Sequence, residues 1–166
     1  MRIVSNLRAR RFRETPAPYR TDLPGPLYCD SSALAKLYMR ETGSDEFNRT
    51  VAGRDDVLVS DLTVTEVVSA LVRRLRQGDL TGEIVRRVRR AMLERVDDGD
   101  YVRVELTRDV HRHAENLLLT LTEIPLRAAD ALHLALATSA RALSLASFDD
   151  RLRTAARAVG LVTYPG

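Results

Sequence analysis

Short apolar runs alternate with longer amphipathic stretches from residue 27 to the end of this sequence. Runs of three or four apolar residues suit buried strands, whereas apolar residues at helical spacing indicate helices with one buried face. We predict five strands, at residues 27–29, 57–59, 101–106, 143–146 and 161–163. We predict seven helices, at residues 33–40, 44–52, 61 or 63 to 76, 81–96, 109–121, 126–140 and 150–159. This alternation is typical of an α/β fold with a mostly parallel sheet and helices on both faces.

Polar residues precede two of these helices and are candidates for their N-terminal caps. We expect Ser31 and Ser32 to cap the first helix, and Asp61 or Thr63 to cap the third. A side-chain oxygen at such a position accepts a hydrogen bond from a backbone N–H of the first turn.

The 166 residues suffice for one domain with its own core. Cys29 is the single cysteine, which excludes an internal disulfide framework and a zinc site of several cysteines. The chain has no Trp and few aromatic residues, which argues against a stacking platform for single-stranded nucleic acid. No run of 18 apolar residues occurs, and the first residues contain no apolar leader segment, so we expect a cytoplasmic protein that contacts no membrane.

The basic charge of the chain is concentrated in residues 1–26, which hold six Arg against one Glu and one Asp and so carry a net charge of +4. The whole chain carries +3, which leaves −1 for residues 27–166. Residues 1–26 also contain four of the six prolines and show no periodicity. We therefore predict a basic, Pro-rich arm over residues 1–26, disordered or loosely docked, followed by one domain over residues 27–166.

Acidic residues follow several of the predicted strands. Asp30 follows the first strand, Asp61 the second and Asp149 the fourth. The carboxyl ends of parallel strands lie at one edge of the sheet, where ligands of α/β proteins bind. Carboxylates gathered there repel one another unless a cation such as Mg²⁺ or Mn²⁺ binds between them. The pattern favours the hypothesis of metal-dependent phosphodiester hydrolysis.

Asp130 lies within the predicted helix 126–140, which is apolar on every side and is therefore expected to be buried. A buried carboxylate needs a partner, and His133 lies three residues further on the same face. The alternative is a carboxylate at the start of the helix that accepts backbone N–H bonds. For His133 we expect a packed histidine bonded to a carboxylate rather than a catalytic group.

Four segments of the chain resemble the motifs of the PIN-domain family, and specifically those of VapC-type toxin ribonucleases. They are YCDSSALAKLY at 28–38, SDLTVTEV at 60–67, LRAADALHLA at 126–135 and ASFDDRL at 146–152. The motifs occur in the family's order over about residues 26–164. The resemblance implies a three-layer PIN fold, dependence on Mg²⁺ or Mn²⁺, an RNA substrate, a homodimer and a cognate VapB-like antitoxin.

The resemblance also implies roles for individual residues. The four acids that match the family's catalytic and metal-binding positions are Asp30, Glu66, Asp130 and Asp149. Ser32 and Ser147 match positions that hold water or orient the carboxylates. The arm lies outside the family pattern, and its possible RNA contacts are Arg8, Arg10, Arg11 and Arg13.

Each acid also has a purely structural alternative. Asp30 and Asp149 are well placed to cap the helices that follow them. Glu66 lies opposite the apolar stripe of its helix, so that spacing alone favours a solvated glutamate. Asp150 adjoins Asp149, although Asp149 fits the motif better. For the whole protein, the alternatives are a non-catalytic PIN-fold interaction module and another metal-dependent phosphoryl-transfer enzyme.

Overall fold

A computed structural model describes residues 23–166 and contains a five-stranded sheet in which every neighbouring pair of strands is parallel. The strands lie in the order β3-β2-β1-β4-β5. Their bounds are β1 (Leu27–Cys29), β2 (Val57–Ser60), β3 (Val102–Val104), β4 (Ser144–Ala146) and β5 (Val162–Tyr164). The predicted parallel α/β fold is therefore confirmed.

Helices connect the strands, as the joining of parallel neighbours requires. Their bounds are α1 (Ser31–Tyr38), α2 (Ser44–Val51), α3 (Asp61–Arg76), α4 (Gly82–Asp97), α5 (Arg108–Thr120), α6 (Ala128–Ser139) and α7 (Asp150–Ala158). Within residues 23–166, none of these helices is both long enough and apolar enough to span a membrane.

Alternate residues of β1 point into two separate cores. Leu27 and Cys29 are fully buried in a core that they share with apolar residues of α1 to α4. Tyr28 lies between them in the chain and is fully buried in a second core with residues of α5, α6 and α7. Because successive side chains of a strand project to opposite faces, the two cores lie on the two sides of the sheet. The expected helices on both faces are thus confirmed, and the fold has three layers.

The caps of α1 and α3 differ from the sequence prediction. The Asp30 carboxylate accepts a hydrogen bond of 2.8 Å from Ala33 N, so Asp30 caps α1 in place of Ser31 and Ser32, as its structural alternative proposed. The Ser60 hydroxyl accepts a hydrogen bond of 3.1 Å from Thr63 N and caps α3, so the prediction of Asp61 or Thr63 is wrong. Both α1 and α3 begin within two residues of the end of the preceding strand. The capping residue of each helix therefore lies earlier in the chain than expected.

Residues 23–26 lead into β1 and are bonded to the rest of the domain. The Pro26 carbonyl accepts hydrogen bonds from the backbone N–H groups of Leu143 and Ser144, at 2.9 and 3.2 Å. Arg54 donates a hydrogen bond of 3.0 Å to the Leu23 carbonyl. The rest of the predicted arm lies outside the described residues, as do the arginines Arg8, Arg10, Arg11 and Arg13.

Candidate active site

The strand order produces a crevice at the carboxyl ends of β1 and β4. These strands are neighbours, yet the chain leaves β1 towards β2 on one side and leaves β4 towards β5 on the other. Open α/β sheets bind their ligands at such a switch point. Asp30 directly follows β1, and its backbone N–H donates a hydrogen bond of 3.1 Å to the carbonyl of Ala146, the last residue of β4. Asp30 therefore lies in the crevice.

Asp30 is buried, with 4% of its surface exposed, and polar hydrogens surround its carboxylate. The Ser32 hydroxyl donates to Oδ1 at 2.7 Å, and the Ser147 hydroxyl donates to Oδ2 at 2.7 Å. Burial raises the pKa of Asp30, whereas the bonds from Ser147 and the Ala33 N–H act in the opposite direction. These three donors are uncharged, so they fix the orientation of the carboxylate without neutralising it.

Ser147 connects Asp30 to Asp149. Its hydroxyl oxygen accepts a hydrogen bond of 3.0 Å from Asp149 N while donating to Asp30. The Asp149 carboxylate accepts a hydrogen bond of 2.8 Å from Arg151 N and caps α7, as the structural alternative proposed. Burial acts to raise the pKa of Asp149, but the backbone and side chain of Arg151 outweigh it and lower that pKa. The neighbouring Asp150 is exposed and pairs with Arg153.

A second group of polar side chains joins three elements through His133. Its Nε2 lies 2.6 Å from Glu66 Oε2, and its Nδ1 lies 2.8 Å from the Tyr28 hydroxyl. An ionised carboxylate only accepts hydrogen bonds, so Nε2 carries the proton in this arrangement, and in neutral His133 Nδ1 accepts from Tyr28. The hydrogen bond from His133 is the main cause that lowers the pKa of Glu66.

This arrangement corrects two sequence inferences. His133 is indeed a packed histidine bonded to a carboxylate, but its partner is Glu66 on α3 rather than Asp130 on its own helix. Glu66 is only 30% exposed at its side chain, so it is not the fully solvated residue that helical spacing favoured. Sequence reasoning missed Tyr28, although a tyrosine in a short buried strand is itself a signal, because its hydroxyl needs a partner there.

Asp130 is half-buried at the start of α6. The helix begins at Ala128 rather than at residue 126, so Asp130 lies in its first turn. Its carboxylate accepts a hydrogen bond of 3.0 Å from Arg127 N. The expectation of a fully buried carboxylate paired with His133 is wrong, because the first turn of α6 extends beyond the apolar core that encloses the rest of the helix.

The structure thus links Asp30 with Asp149 through Ser147, while Glu66 contacts His133 and Asp130 contacts the backbone N–H of Arg127. Within residues 23–166, no three His, Cys, Asp or Glu side chains lie together as a ready metal site. The donors nevertheless suit Mg²⁺ or Mn²⁺, because Mg²⁺ takes oxygen ligands and often uses only one or two carboxylates together with water and substrate phosphate. Asp30 and Asp149 supply such oxygens.

The fold and this crevice define a three-layer α/β protein with carboxylates at the switch point of a parallel sheet. Residues 27–158 match the family described as PIN domain. Together with the relatives described next, this match shows that the chain belongs to the PIN-domain family, among the VapC-type proteins. The resemblance noted in the four sequence motifs is confirmed.

Two relatives are named as ribonucleases of Mycobacterium tuberculosis. Ribonuclease VapC45 of strain CDC 1551 / Oshkosh is 38% identical over 144 residues, covering 84% of this chain and 94% of the relative. Ribonuclease VapC46 of strain H37Rv is 34% identical over 140 residues, covering 81% and 93%. The crystal structure of M. tuberculosis VapC20, titled a Sarcin-Ricin loop cleaving toxin, has the same fold. It matches with a TM-score of 0.64 and 20% identity over 82% of this chain and 96% of that one.

Proposed function

We propose that this protein is a metal-dependent endoribonuclease and the toxin of a VapBC-type toxin–antitoxin pair. The observation that carries the proposal is Asp30, a buried carboxylate held by Ser32 and Ser147 at the switch point of the sheet. Nothing in the folding of α1 requires a charge there, since a neutral Asn caps a helix equally well. The likeness to VapC ribonucleases supports RNA as the substrate.

In this proposal Asp30 and Asp149 hold Mg²⁺ or Mn²⁺, and Glu66 and Asp130 are the remaining acids of the catalytic set. When bound, the ion polarises the phosphodiester and lowers the pKa of a bound water. Ser147 fixes the relative position of the first two acids, because its one hydroxyl bonds to the Asp30 carboxylate and to Asp149 N.

Glu66 and Asp130 are positioned by different devices. His133 donates to Glu66 Oε2 and is itself held by Tyr28, and Ser31 forms a further hydrogen bond to the Glu66 carboxylate. Asp130 is anchored through one oxygen by Arg127 N at the start of α6. Each of the two carboxylates is therefore held in a fixed orientation by its hydrogen bonds.

The test compares the neighbouring carboxylates of Asp149 and Asp150. Asp149→Asn keeps a good helix cap but removes the charge, whereas Asp150→Asn removes an exposed charge paired with Arg153. We expect RNA cleavage with Mg²⁺ by the wild type and by Asp150→Asn, and about a hundredfold lower kcat in Asp149→Asn, the scale of losing one group that stabilises the transition state. Full cleavage in excess EDTA, or by Asp149→Asn, would contradict the proposal.

The likeness to VapC ribonucleases also supports a VapB-like antitoxin as the partner that inhibits cleavage, and a homodimer as the form of the toxin. Light scattering coupled to size exclusion tests the second point, and a monomer would contradict it. We further propose that the arginines of the arm, Arg8, Arg10, Arg11 and Arg13, contact RNA phosphates.

A further inference from the structure

A cleft of about 340 Å³ lies between α1 and α3, beside the candidate active site. Ser32 and Phe148 line one end, and Ser32 also bonds to the Asp30 carboxylate. Lys36, Arg73 and Arg74 line the cleft as well. Lys36 lies four residues after Ser32 on α1, which places it one helical turn away, about 6 Å along the axis. The cleft therefore leads from the carboxylates to a group of cations.

Lys36 is held in a fixed position in this cleft. Its ammonium group donates a hydrogen bond of 2.7 Å to the Thr42 carbonyl and lies 4.3 Å from the centre of the Phe148 ring. Its side chain is only 11% exposed. A lysine ordinarily keeps its charge in water, so a buried one needs such contacts and a nearby anion.

Glu41 supplies that anion. Its Oε1 lies 2.9 Å from a terminal nitrogen of Arg74, and its Oε2 lies 3.7 Å from Lys36 Nζ. The Glu41 side chain is 40% exposed, so solvent reaches its carboxylate and screens the pair with Arg74, while Lys36 is also held by Thr42 and Phe148. One carboxylate thus bridges two cations at a position that solvent reaches, and another anion with better geometry can replace it.

We propose that Lys36 and Arg74 form a second phosphate subsite, which binds an RNA phosphate adjacent to the one that is cleaved, and that Glu41 occupies this subsite in the absence of RNA. The inference rests on the proposed ribonuclease function for the identity of the ligand. A phosphodiester presents two non-bridging oxygens that share one negative charge, which suit the fork of Arg74 and the ammonium of Lys36 as the Glu41 carboxylate does. The one-turn separation from Ser32 is on the scale of neighbouring phosphates in a strand of RNA.

The test measures binding of a fluorescein-labelled single-stranded RNA to the full chain in EDTA, by anisotropy over a series of salt concentrations. We expect Glu41→Gln to tighten binding about three- to fivefold, because it removes the competing charge and keeps the size of the side chain. We expect Arg74→Gln to weaken binding and to reduce the slope of log Kd against log salt by about one. Glu115→Gln is the matched control, since Glu115 forms a similar pair with Arg112 on α5.

Unchanged binding in Glu41→Gln, or equal tightening in Glu115→Gln, would overturn the subsite, because the second result indicates a general effect of net charge. An unchanged salt slope in Arg74→Gln would also overturn the subsite. A wild-type protein that binds no RNA would overturn it as well. Cleavage of the same RNA with Mg²⁺ is measured in parallel. A wild type that binds RNA without cleaving it contradicts the proposed activity. In that case the RNA affinities of the wild type and its variants still show whether the phosphate subsite exists.

Discussion

The hydroxyl of Ser147 donates a hydrogen bond of 2.7 Å to the carboxylate of Asp30, across 117 residues of sequence. The same hydroxyl accepts from Asp149 N. One small side chain thus fixes the end of β1 relative to the loop after β4. The bond to Asp30 is buried, so losing it leaves that carboxylate oxygen with only the longer contact of 3.0 Å to the Ser32 hydroxyl, in a place that water enters poorly.

Ser147→Ala is therefore expected to lower the free energy of unfolding by about 1–3 kcal/mol. It should also lower kcat for RNA, because within residues 23–166 only Ser32 and Ala33 N then hold the Asp30 carboxylate, and its link to Asp149 is lost. Urea unfolding and initial cleavage rates measure the two effects. Ser69→Ala is the control, since Ser69 lies on the exposed side of α3 and its loss should change neither quantity. A Ser147→Ala protein as stable and active as the wild type would show that the Ser147 hydroxyl does not position the Asp30 carboxylate.

Tyr28→Phe tests the chain of contacts that ends at Glu66. The Tyr28 hydroxyl lies 3.1 Å from Ser60 Oγ and 2.8 Å from His133 Nδ1, and burial raises its pKa. Its removal leaves His133 with one ring nitrogen unpaired, so we expect a loss of about 1–2 kcal/mol in stability and a lower kcat.

Tyr38→Phe is the matched control for this variant. Tyr38 is also buried, but its hydroxyl contacts Tyr101 in the other core. The control should lose stability and keep its kcat. Equal kcat in the two variants would remove Tyr28 from the set of residues that position the site.

The sequence indicated the sheet and the placement of Asp30 and Asp149, because both follow from short apolar runs and the polar residues that end them. It did not indicate the partner of His133. Helical periodicity reports which side of a helix is apolar, and by that measure Glu66 lies on the wrong side of α3. Its actual contact is with α6, 67 residues away, and depends on how two helices pack across the end of the sheet.

The buried pair of Tyr38 and Tyr101 should make the stability of the folded protein decrease at alkaline pH. Their hydroxyls lie 3.1 Å apart, and burial raises the pKa of each above the ordinary 10.0. The unfolded chain then releases these protons at lower pH than the folded protein does. Their contribution to stability is complete below about pH 10 and is lost as pH rises above it, by about 1.4 kcal/mol per pH unit for each tyrosine. Urea unfolding between about pH 9 and pH 11 measures this slope, and an unchanged slope in Tyr38→Phe would refute the assignment.

Removal of the arm should separate binding from cleavage. Deletion of residues 1–22 spares Leu23 and Pro26, whose carbonyls accept hydrogen bonds from Arg54 and from the start of β4. We expect weaker RNA binding with a smaller salt slope, and unchanged kcat at saturating RNA. Deletion of residues 1–26 is the comparison, and it should additionally lower the melting temperature. Loss of kcat in the shorter deletion would place part of the arm in the active site.

Asp30→Asn separates the demands of folding from those of catalysis. Asparagine caps α1 as well as aspartate does, and the hydroxyls of Ser32 and Ser147 can bond to its amide. The substitution removes a charge that is 4% exposed and surrounded by neutral donors, so we expect higher stability without metal. Each kcal/mol gained corresponds to about 2–4 °C in Tm for a chain of this size.

Added Mg²⁺ should reverse this order of stability. An ion that binds the folded wild type raises its stability by about 2.7 kcal/mol at a hundred times the Kd, whereas the Asp30→Asn protein should show no such rise. Asp109→Asn removes an exposed carboxylate on α5 and should keep the full response to Mg²⁺. Calorimetric melting in EDTA and in millimolar Mg²⁺ measures both effects. A variant that is less stable in EDTA would mean that the Asp30 charge serves the fold, and a retained Mg²⁺ response would place the metal elsewhere.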